Sequence, residues 1–380
     1  MASRVAATQA VLLCCRKGLR TQAWPVMHPI DPPKPPPATE PGIQRVQEEA
    51  FDKVVEREKD YLFVSRMRKL AMQKPERYVE FSDLSPEDRL LSPVLENYPA
   101  VFELVREGSR RCWTEGYRLT LTAEQLSSEE ENAMKQMEDH FVTVLRKVLM
   151  LSIGRRLPLE KLVYLAPHLG LPNDFERRLV HQYPHFLHLV TLKDSTPLLK
   201  LTSWDAQLAL SLEEVKKRQV LQSKASDEKM ELITMMEKFL LPKGYNLSKR
   251  HRKMLARFRN APFVSPYEDP RDFDCLEIKF EKHAVAGLKE LLSFTVEKRM
   301  TLDTLAHFSQ EFTFSYKPRN LVLRHPQYFY LSEAGNQETL FLREGYHHGK
   351  LVEKNPLVLM KEKFGTLLGT RRIAGPKPLC

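Results

Sequence analysis

The stretch Tyr183-Pro184-His185-Phe186-Leu187-His188-Leu189 sets the reading of this chain, because its pattern is written three times. Its counterparts are Tyr98-Pro99-Ala100-Val101-Phe102-Glu103-Leu104 and His325-Pro326-Gln327-Tyr328-Phe329-Tyr330-Leu331. In each, proline lacks the N–H that a helix interior needs and pushes the preceding residue out of the helical region, so a helix stops there. Beyond it, the aromatic and the leucine fall two apart, on one face of an extended segment. A phrase that recurs across the chain implies modules, and modules point to a binding protein before an enzyme.

Working outward, unit one covers about residues 76–122. Ser85-Pro86-Glu87-Asp88 opens a helix there, and Val101–Val105 pairs with Tyr117–Leu121, although no clear first helix of a pair is visible. Unit two covers 155–205. It reads as a helix from Pro158 to Leu169, a Gly170-Leu171-Pro172 turn, a second helix capped by Asn173 with Glu176, and a hairpin of Phe186–Leu192 with Leu198–Trp204. Unit three covers 283–346, with helices over His283–Lys298, Thr301–Phe312 and Pro318–Arg324 and a hairpin of Tyr328–Ser332 with Thr339–Arg343. Between the units lie a charged helix at Val46–Arg68, a long helix opened by Ser128 with Glu131 and reaching Ser152, and one capped by Ser211 with Glu214. Two helices followed by a ribbon is the order of a winged helix-turn-helix. The expected fold is mainly α with short β-hairpins (α+β), built from repeated winged-helix-like modules with helical inserts inside a domain of residues 45–365.

The chain has 380 residues and is 42% hydrophobic, enough for a substantial core. Its net charge of +10 favours an anionic partner. Cys14, Cys15, Cys112, Cys275 and Cys380 are scattered and form neither a disulfide ladder nor a CxxC knuckle, which fits a reducing compartment. No apolar run approaches the length of a bilayer span, so no membrane partner is expected. Residues 1–30 carry Arg4, Arg16, Lys17 and Arg20 with no acid before Asp31, the composition of an organelle transit peptide. Sparse serine favours a mitochondrial address, with the chloroplast as alternative. Residues 31–44 read as a proline-rich linker and 366–380 as a flexible tail.

Several uncommon phrases occur in a fixed order: Arg156-Leu157-Pro158-Leu159-Glu160-Lys161, Gly170-Leu171-Pro172-Asn173-Asp174-Phe175, Tyr183-Pro184-His185-Phe186 and Ser203-Trp204-Asp205-Ala206-Gln207-Leu208-Ala209. Phe263-Val264-Ser265-Pro266-Tyr267, Glu290-Leu291-Leu292-Ser293-Phe294-Thr295-Val296-Glu297-Lys298-Arg299 and Phe341-Leu342-Arg343-Glu344-Gly345-Tyr346 follow. Over about residues 45–370 the chain resembles the plant organelle RNA recognition (PORR) family, with unit one departing most. The resemblance implies a factor imported into mitochondria or plastids that binds intron RNA and supports group II intron splicing, the intron itself carrying the chemistry. It implies organellar intron RNA as partner; other splicing factors beside it and a monomeric state are further expectations. It supplies no residue-level contacts.

Those contacts are sought among the basic residues. Lys249, Arg250, Arg252, Lys253, Arg257 and Arg259 surround much of one helix, leaving Met254, Leu255 and Phe258 to pack. Neutralising phosphates releases counterions and gives affinity without sequence information. A second set sits where the units turn: Arg155, Arg156, Lys161, Arg177 and Arg178 in unit two, and Lys317, Arg319 and Arg324 in unit three. Among the aromatics, hairpin spacing places Phe186 and Trp204 in the core and turns His185 and Tyr330 outward. His181, His185 and His188 are split by Pro184 and have no cysteine near, so no metal site is expected. Glu268, Asp269, Asp272 and Asp274 read as a solvated loop rather than the Mg²⁺ site of a nuclease. With no Walker loop, Gly-x-Gly-x-x-Gly, nucleophile elbow or His-Glu-x-x-His, no catalytic residue or cofactor is expected. The competing reading is a helical scaffold that recruits other organellar RNA-processing or ribosome-assembly proteins through charged helices such as Leu212–Gln219.

Overall fold

All three aromatic-proline phrases make the same turn. The Tyr98 carbonyl accepts from the N–H groups of Val101 and Phe102, both at 3.0 Å, and the Tyr183 carbonyl from Phe186 and Leu187, both at 3.0 Å. The His325 carbonyl accepts from Tyr328 at 3.0 Å and Phe329 at 3.2 Å. Each turn ends a helical segment and delivers a buried side chain (Phe102, Leu187 or Phe329) to the start of a strand. The computed structural model describes residues 45–369 except 91, 110–111, 192–195, 224–240, 242–243, 246–247, 271–272, 274–277 and 315–317. The expected transit peptide and linker, most of the tail, Lys317, Asp272 and Asp274 lie outside the described residues.

Unit one comprises α1 (Glu49–Gln73), β1 (Tyr78–Glu80), α2 (Pro86–Leu90), a 3₁₀ stretch Ser92–Asn97, β2 (Phe102–Ser109) and β3 (Cys112–Leu119). Helix α3 (Leu121–Gln136) connects it to unit two: α4 (Glu138–Leu151), β4 (Arg156–Pro158), α5 (Leu159–Leu169), a π-helical stretch Glu176–Val180, β5 (Leu187–Thr191) and β6 (Pro197–Leu201). Helices α6 (Leu212–Ser223) and α7 (Lys249–Asn260) precede unit three. That unit holds α8 (Ile278–Phe294), β7 (Arg299–Thr301), α9 (Leu302–His307), α10 (Pro318–Arg324), β8 (Phe329–Ser332) and β9 (Thr339–Leu342). A small ribbon, β10 (Tyr346–His347) with β11 (Lys350–Leu351), leads to α11 (Pro356–Leu368), which runs past the domain end expected at 365. Each unit is therefore helix, strand, two helical segments (with an added 3₁₀ turn, Phe81–Asp83, in unit one), strand, strand, and each three-stranded sheet is antiparallel with its strands in the order first-third-second. That is the winged-helix order with its full three-stranded sheet.

The sequence reading misses the first strand of every sheet. Each is three residues long, too short for alternation to show. It also sees no first helix of a pair in unit one, because that helix, α2, is only five residues long and is followed by the 3₁₀ stretch Ser92–Asn97. The single helix expected from Ser128 to Ser152 is two. It begins earlier, where Thr120 Oγ1 accepts from Ala123 N at 3.3 Å, and it breaks at Met137. Ser128 lies inside α3 and donates back to the Glu124 carbonyl at 3.1 Å. The Asn173 cap gives way to the π-helical stretch. The Ser211–Glu214 capping box forms: Ser211 N donates to Glu214 Oε2 at 2.8 Å, and Glu214 N to Ser211 Oγ at 3.3 Å.

Units two and three share one core. Phe141, Leu145 and Val148 of α4 meet Leu288, Leu291 and Leu292 of α8, with Leu157 and Leu199 from one sheet and Met300 and Leu340 from the other. Unit one has its own cluster, in which Val64, Met67 and Ala71 of α1 pack with Tyr98, Phe102 and Tyr117 and with Phe364 of α11. The first turns of α1 do something else. Phe51 and Val55 cover the outer face of the third sheet, Phe51 stacks on Tyr330 at 4.8 Å, and Asp52 accepts from Tyr330 Oη at 2.9 Å. Helix α1 is thus a strut, with one end in unit one and the other on unit three.

His168, at the end of α5, joins units two and three. Its carbonyl accepts from Val296 N at 2.8 Å. Burial, with the nearby Arg299 charge, holds its imidazole down from the usual 6.5 to about 4. Between those values the unfolded chain binds a proton that the native chain refuses, so stability falls as pH drops from 6.5 towards 4. Discounted for partial exposure, the loss is about 2 kcal/mol. Thermal melts of His168→Gln across that window are expected to be flatter than those of the parent.

Candidate nucleic-acid interface

Helix α7 starts at Ser248, whose Oγ accepts from His251 N at 3.2 Å. His251, Leu255 and Phe258 are buried, at the i, i+4, i+7 spacing of a single face. His251 Nε2 bonds the Arg324 carbonyl at 2.8 Å, and the Phe258 ring sits 4.4 Å from that of His325. His325 is fully buried and bonds Glu281 at 3.1 Å, and burial pushes its imidazole below the usual range despite that carboxylate. The helix therefore docks on α10 through an apolar, histidine-lined face. His251 is part of that face although it reads from sequence as one more basic residue, and Met254 is only half-buried.

The other sides of α7 carry Lys249, Arg250, Arg252, Lys253, Arg257 and Arg259, all exposed. Among the described residues none of the six side chains makes an ion pair, a hydrogen bond or a ring contact. Lys249 and Lys253, like Lys253 and Arg257, stand four apart, where like charges destabilise a helix by about 0.2–0.5 kcal/mol per pair. An anion laid along the helix relieves that repulsion.

The second set divides. Arg155, Arg156 and Arg177 are exposed and without ion pairs among the described residues. Arg178 is engaged by Glu138 at 3.5 Å and Asp174 at 3.9 Å, and Lys161 by Glu311. Arg319 is 7% exposed, with Nε 2.8 Å from Glu338 and Nη2 2.8 Å from Glu333. It is a strut under the third hairpin rather than a free cation. Arg324 lies 3.7 Å from Glu281. The aromatics exchange places relative to expectation. Tyr330, read as outward, is 1% exposed beneath α1, and Trp204, read as core, is 38% exposed. Phe186 is half-buried, with the Arg146 guanidinium 4.0 Å from its ring centroid.

Around α6 and α8 charges are matched internally. A cleft of about 260 Å³ beside α6 and α8 contains Glu213, Lys289 and Glu290. Lys289 pairs with Glu213 at 3.1 Å and Lys147 with Glu290 at 3.2 Å. The charged helix of the scaffold reading, α6, thus faces inward in part, with Lys216 also 3.2 Å from Glu344. Among the described residues no three His, Cys, Asp or Glu side chains converge as a metal site, and no helix is long and apolar enough to cross a membrane.

Tandem winged-helix units with a bare cationic helix define a class of modular, basic-surfaced α+β proteins. Within it, this chain belongs to the plant organelle RNA recognition domain family, whose profile matches residues 46–373. It is 36% identical over 350 residues to "Protein WHAT'S THIS FACTOR 1 homolog, chloroplastic" of Arabidopsis thaliana, covering 88% of this chain and 65% of that protein. It is 36% identical over 342 residues to "Protein WHAT'S THIS FACTOR 1, chloroplastic" of Zea mays, covering 87% and 68%. It is 27% identical over 315 residues to "Protein WHAT'S THIS FACTOR 9, mitochondrial" of Arabidopsis thaliana, covering 80% and 79%. The chain thus spans about two thirds of the length of the chloroplastic relatives. No solved structure matches it.

Proposed function

We propose that this chain is an organellar RNA-binding protein that supports group II intron splicing. It holds intron RNA through phosphate contacts and leaves the chemistry to the RNA. The observation that carries this reading is α7, with six exposed cations and no ion pair among the described residues, while Arg178, Arg319 and Arg324 in the units it adjoins have carboxylates beside them. Membership of the family supports it, as do the organellar names of the relatives. The composition of residues 1–30 favours the mitochondrion, and the names of the more similar relatives favour the chloroplast. The location of a fluorescent fusion to residues 1–45 decides between them.

Filter binding to intron RNA across a salt series tests the mechanism. Six phosphate contacts give a slope of about −4 to −5 in log K against log salt, and a slope near zero overturns a phosphate-based interface. Precipitation of the protein from organelles, followed by sequencing of the bound RNA, is expected to enrich intron sequence. Protein that binds no intron RNA yet retains protein partners after RNase treatment overturns this reading in favour of a scaffold.

A further inference from the structure

Each unit leaves its first helix through a basic residue at positive φ: Arg77 at 55°, Arg155 at 55° and Lys298 at 51°. The surrounding bonds repeat, with Arg77 N to the Lys74 carbonyl at 3.1 Å, Arg155 N to Ser152 at 3.0 Å and Lys298 N to Thr295 at 3.2 Å. Holding a side chain in that region costs about 1–2 kcal/mol. In two units the cation is used locally. The Arg77 guanidinium donates to the Met72 carbonyl and pairs with Glu124 at 3.3 Å, and the Lys298 ammonium donates to the Ser293 carbonyl. Both carbonyls lie five residues back, at the negative end of the preceding helix. Among the described residues Arg155 does neither. Its guanidinium lies 4.4 Å from the centroid of the exposed Trp204 ring.

The outer faces of the sheets differ in the same sense. In unit three this face is covered by Phe51 and Val55 of α1. In unit one Arg118 stands opposite Glu103 and pairs with it at 3.0 Å. In unit two the corresponding row is Arg156, Lys200 and His188, direct cross-strand partners that are all exposed and have no ion pair among the described residues. Like charges directly opposed across a ladder destabilise it. Asp205, next to Trp204, is taken by Arg146 at 3.0 Å.

We propose that this end of the second sheet binds an unpaired nucleotide of an RNA strand, its base stacked on the Trp204 indole and its phosphates met by Arg155, Arg156 and Lys200. The proposal rests on the reading of the chain as an RNA-binding protein. A base inside a duplex has both faces covered by its neighbours, so away from duplex ends only a single-stranded segment can offer one to the indole. The surface is therefore selective for unpaired RNA, whereas phosphate contacts along α7 accept either form.

The test uses the full chain, a short oligouridylate and a blunt RNA duplex of equal length, read by fluorescence anisotropy. Trp204→Leu is expected to weaken oligouridylate binding about 5- to 150-fold and leave duplex binding unchanged, with Trp204→Phe retaining most of the affinity. In the unsubstituted chain, irradiation with an oligouridylate carrying 5-iodouridine is expected to crosslink the peptide containing Trp204, a readout independent of whether any variant folds. Unchanged oligouridylate affinity in a folded Trp204→Leu, or crosslinks confined to other peptides, overturns the nucleotide site and leaves RNA binding standing. An unsubstituted chain that binds neither RNA overturns the RNA-binding reading and this proposal with it.

Discussion

Replacing Arg250, Arg252, Arg257 and Arg259 together by glutamine is expected to lower RNA affinity by about a thousandfold near 0.1 M salt, with the fold intact. Each phosphate neutralised releases about 0.7–0.9 counterion, so at that salt each contact is worth roughly a factor of 5 to 8, and four multiply. The slope of log K against log salt should fall by about 3 to 4 in the same variant. The fold survives because none of the four side chains is in the docking face: His251, Leu255 and Phe258 are untouched, and glutamine is nearly as good a helix former as arginine. Glutamine also avoids placing acids at the helix C-terminus, where they would oppose the dipole. Filter binding and circular dichroism on the same preparation check both halves. Parental affinity in a folded variant means that α7 is not the footprint.

The exposure of the α7 cations was legible in the sequence for a physical reason. A dense run of one charge has few local acids to pair with, so its solvent exposure follows from composition. Arg319 was not legible, because Glu333 and Glu338 reach it from across the hairpin, 14 and 19 residues away. The three turns were readable because proline acts on its immediate neighbours, and distant contacts barely alter what it does. The exchange of Tyr330 and Trp204 has the opposite origin. Strand alternation tells which residues share a face of a sheet, and it cannot tell which face another element covers. Helix α1, 278 residues upstream of Tyr330 at Asp52, covers the third sheet, and among the described residues no equivalent helix covers the row Arg156–Lys200–His188 in the second. The positive-φ basic residue before each first strand escaped the sequence reading as well, since Lys74-Pro75-Glu76-Arg77, Ser152-Ile153-Gly154-Arg155 and Thr295-Val296-Glu297-Lys298 share little but a final cation.

Arg299→Leu is expected to destabilise the protein by about 3–5 kcal/mol, the cost of leaving a buried charge without its partner. Arg299 is 6% exposed and bridges Glu58 of α1 at 2.6 Å and Glu297 at 2.7 Å, and Lys361 of α11 reaches the same two carboxylates at 2.5 and 2.8 Å. Without the guanidinium, two carboxylates share one ammonium. A loss of that size corresponds to a melting point lower by roughly 10 °C. Adding Glu58→Gln should recover part of it, because it removes the acid left over, whereas a purely steric defect would not respond. Acid sensitivity gives a second signature. Burial alone would raise the Glu297 carboxyl, but Arg299 and Lys361 bring it down to about 2. Its contribution is therefore complete above the usual carboxylate value near 4.5 and is lost as pH falls towards 2. In Arg299→Leu that acid-dependent loss should shrink, since Glu297 then titrates closer to its unfolded value. The network ties the helix of unit one to the first strand of unit three and to α11, so it holds the modules in register without touching α7. Well below the new melting point, RNA affinity should stay near the parental value. A melting point unchanged by Arg299→Leu would show that the bridge, though buried, is replaceable by apolar packing.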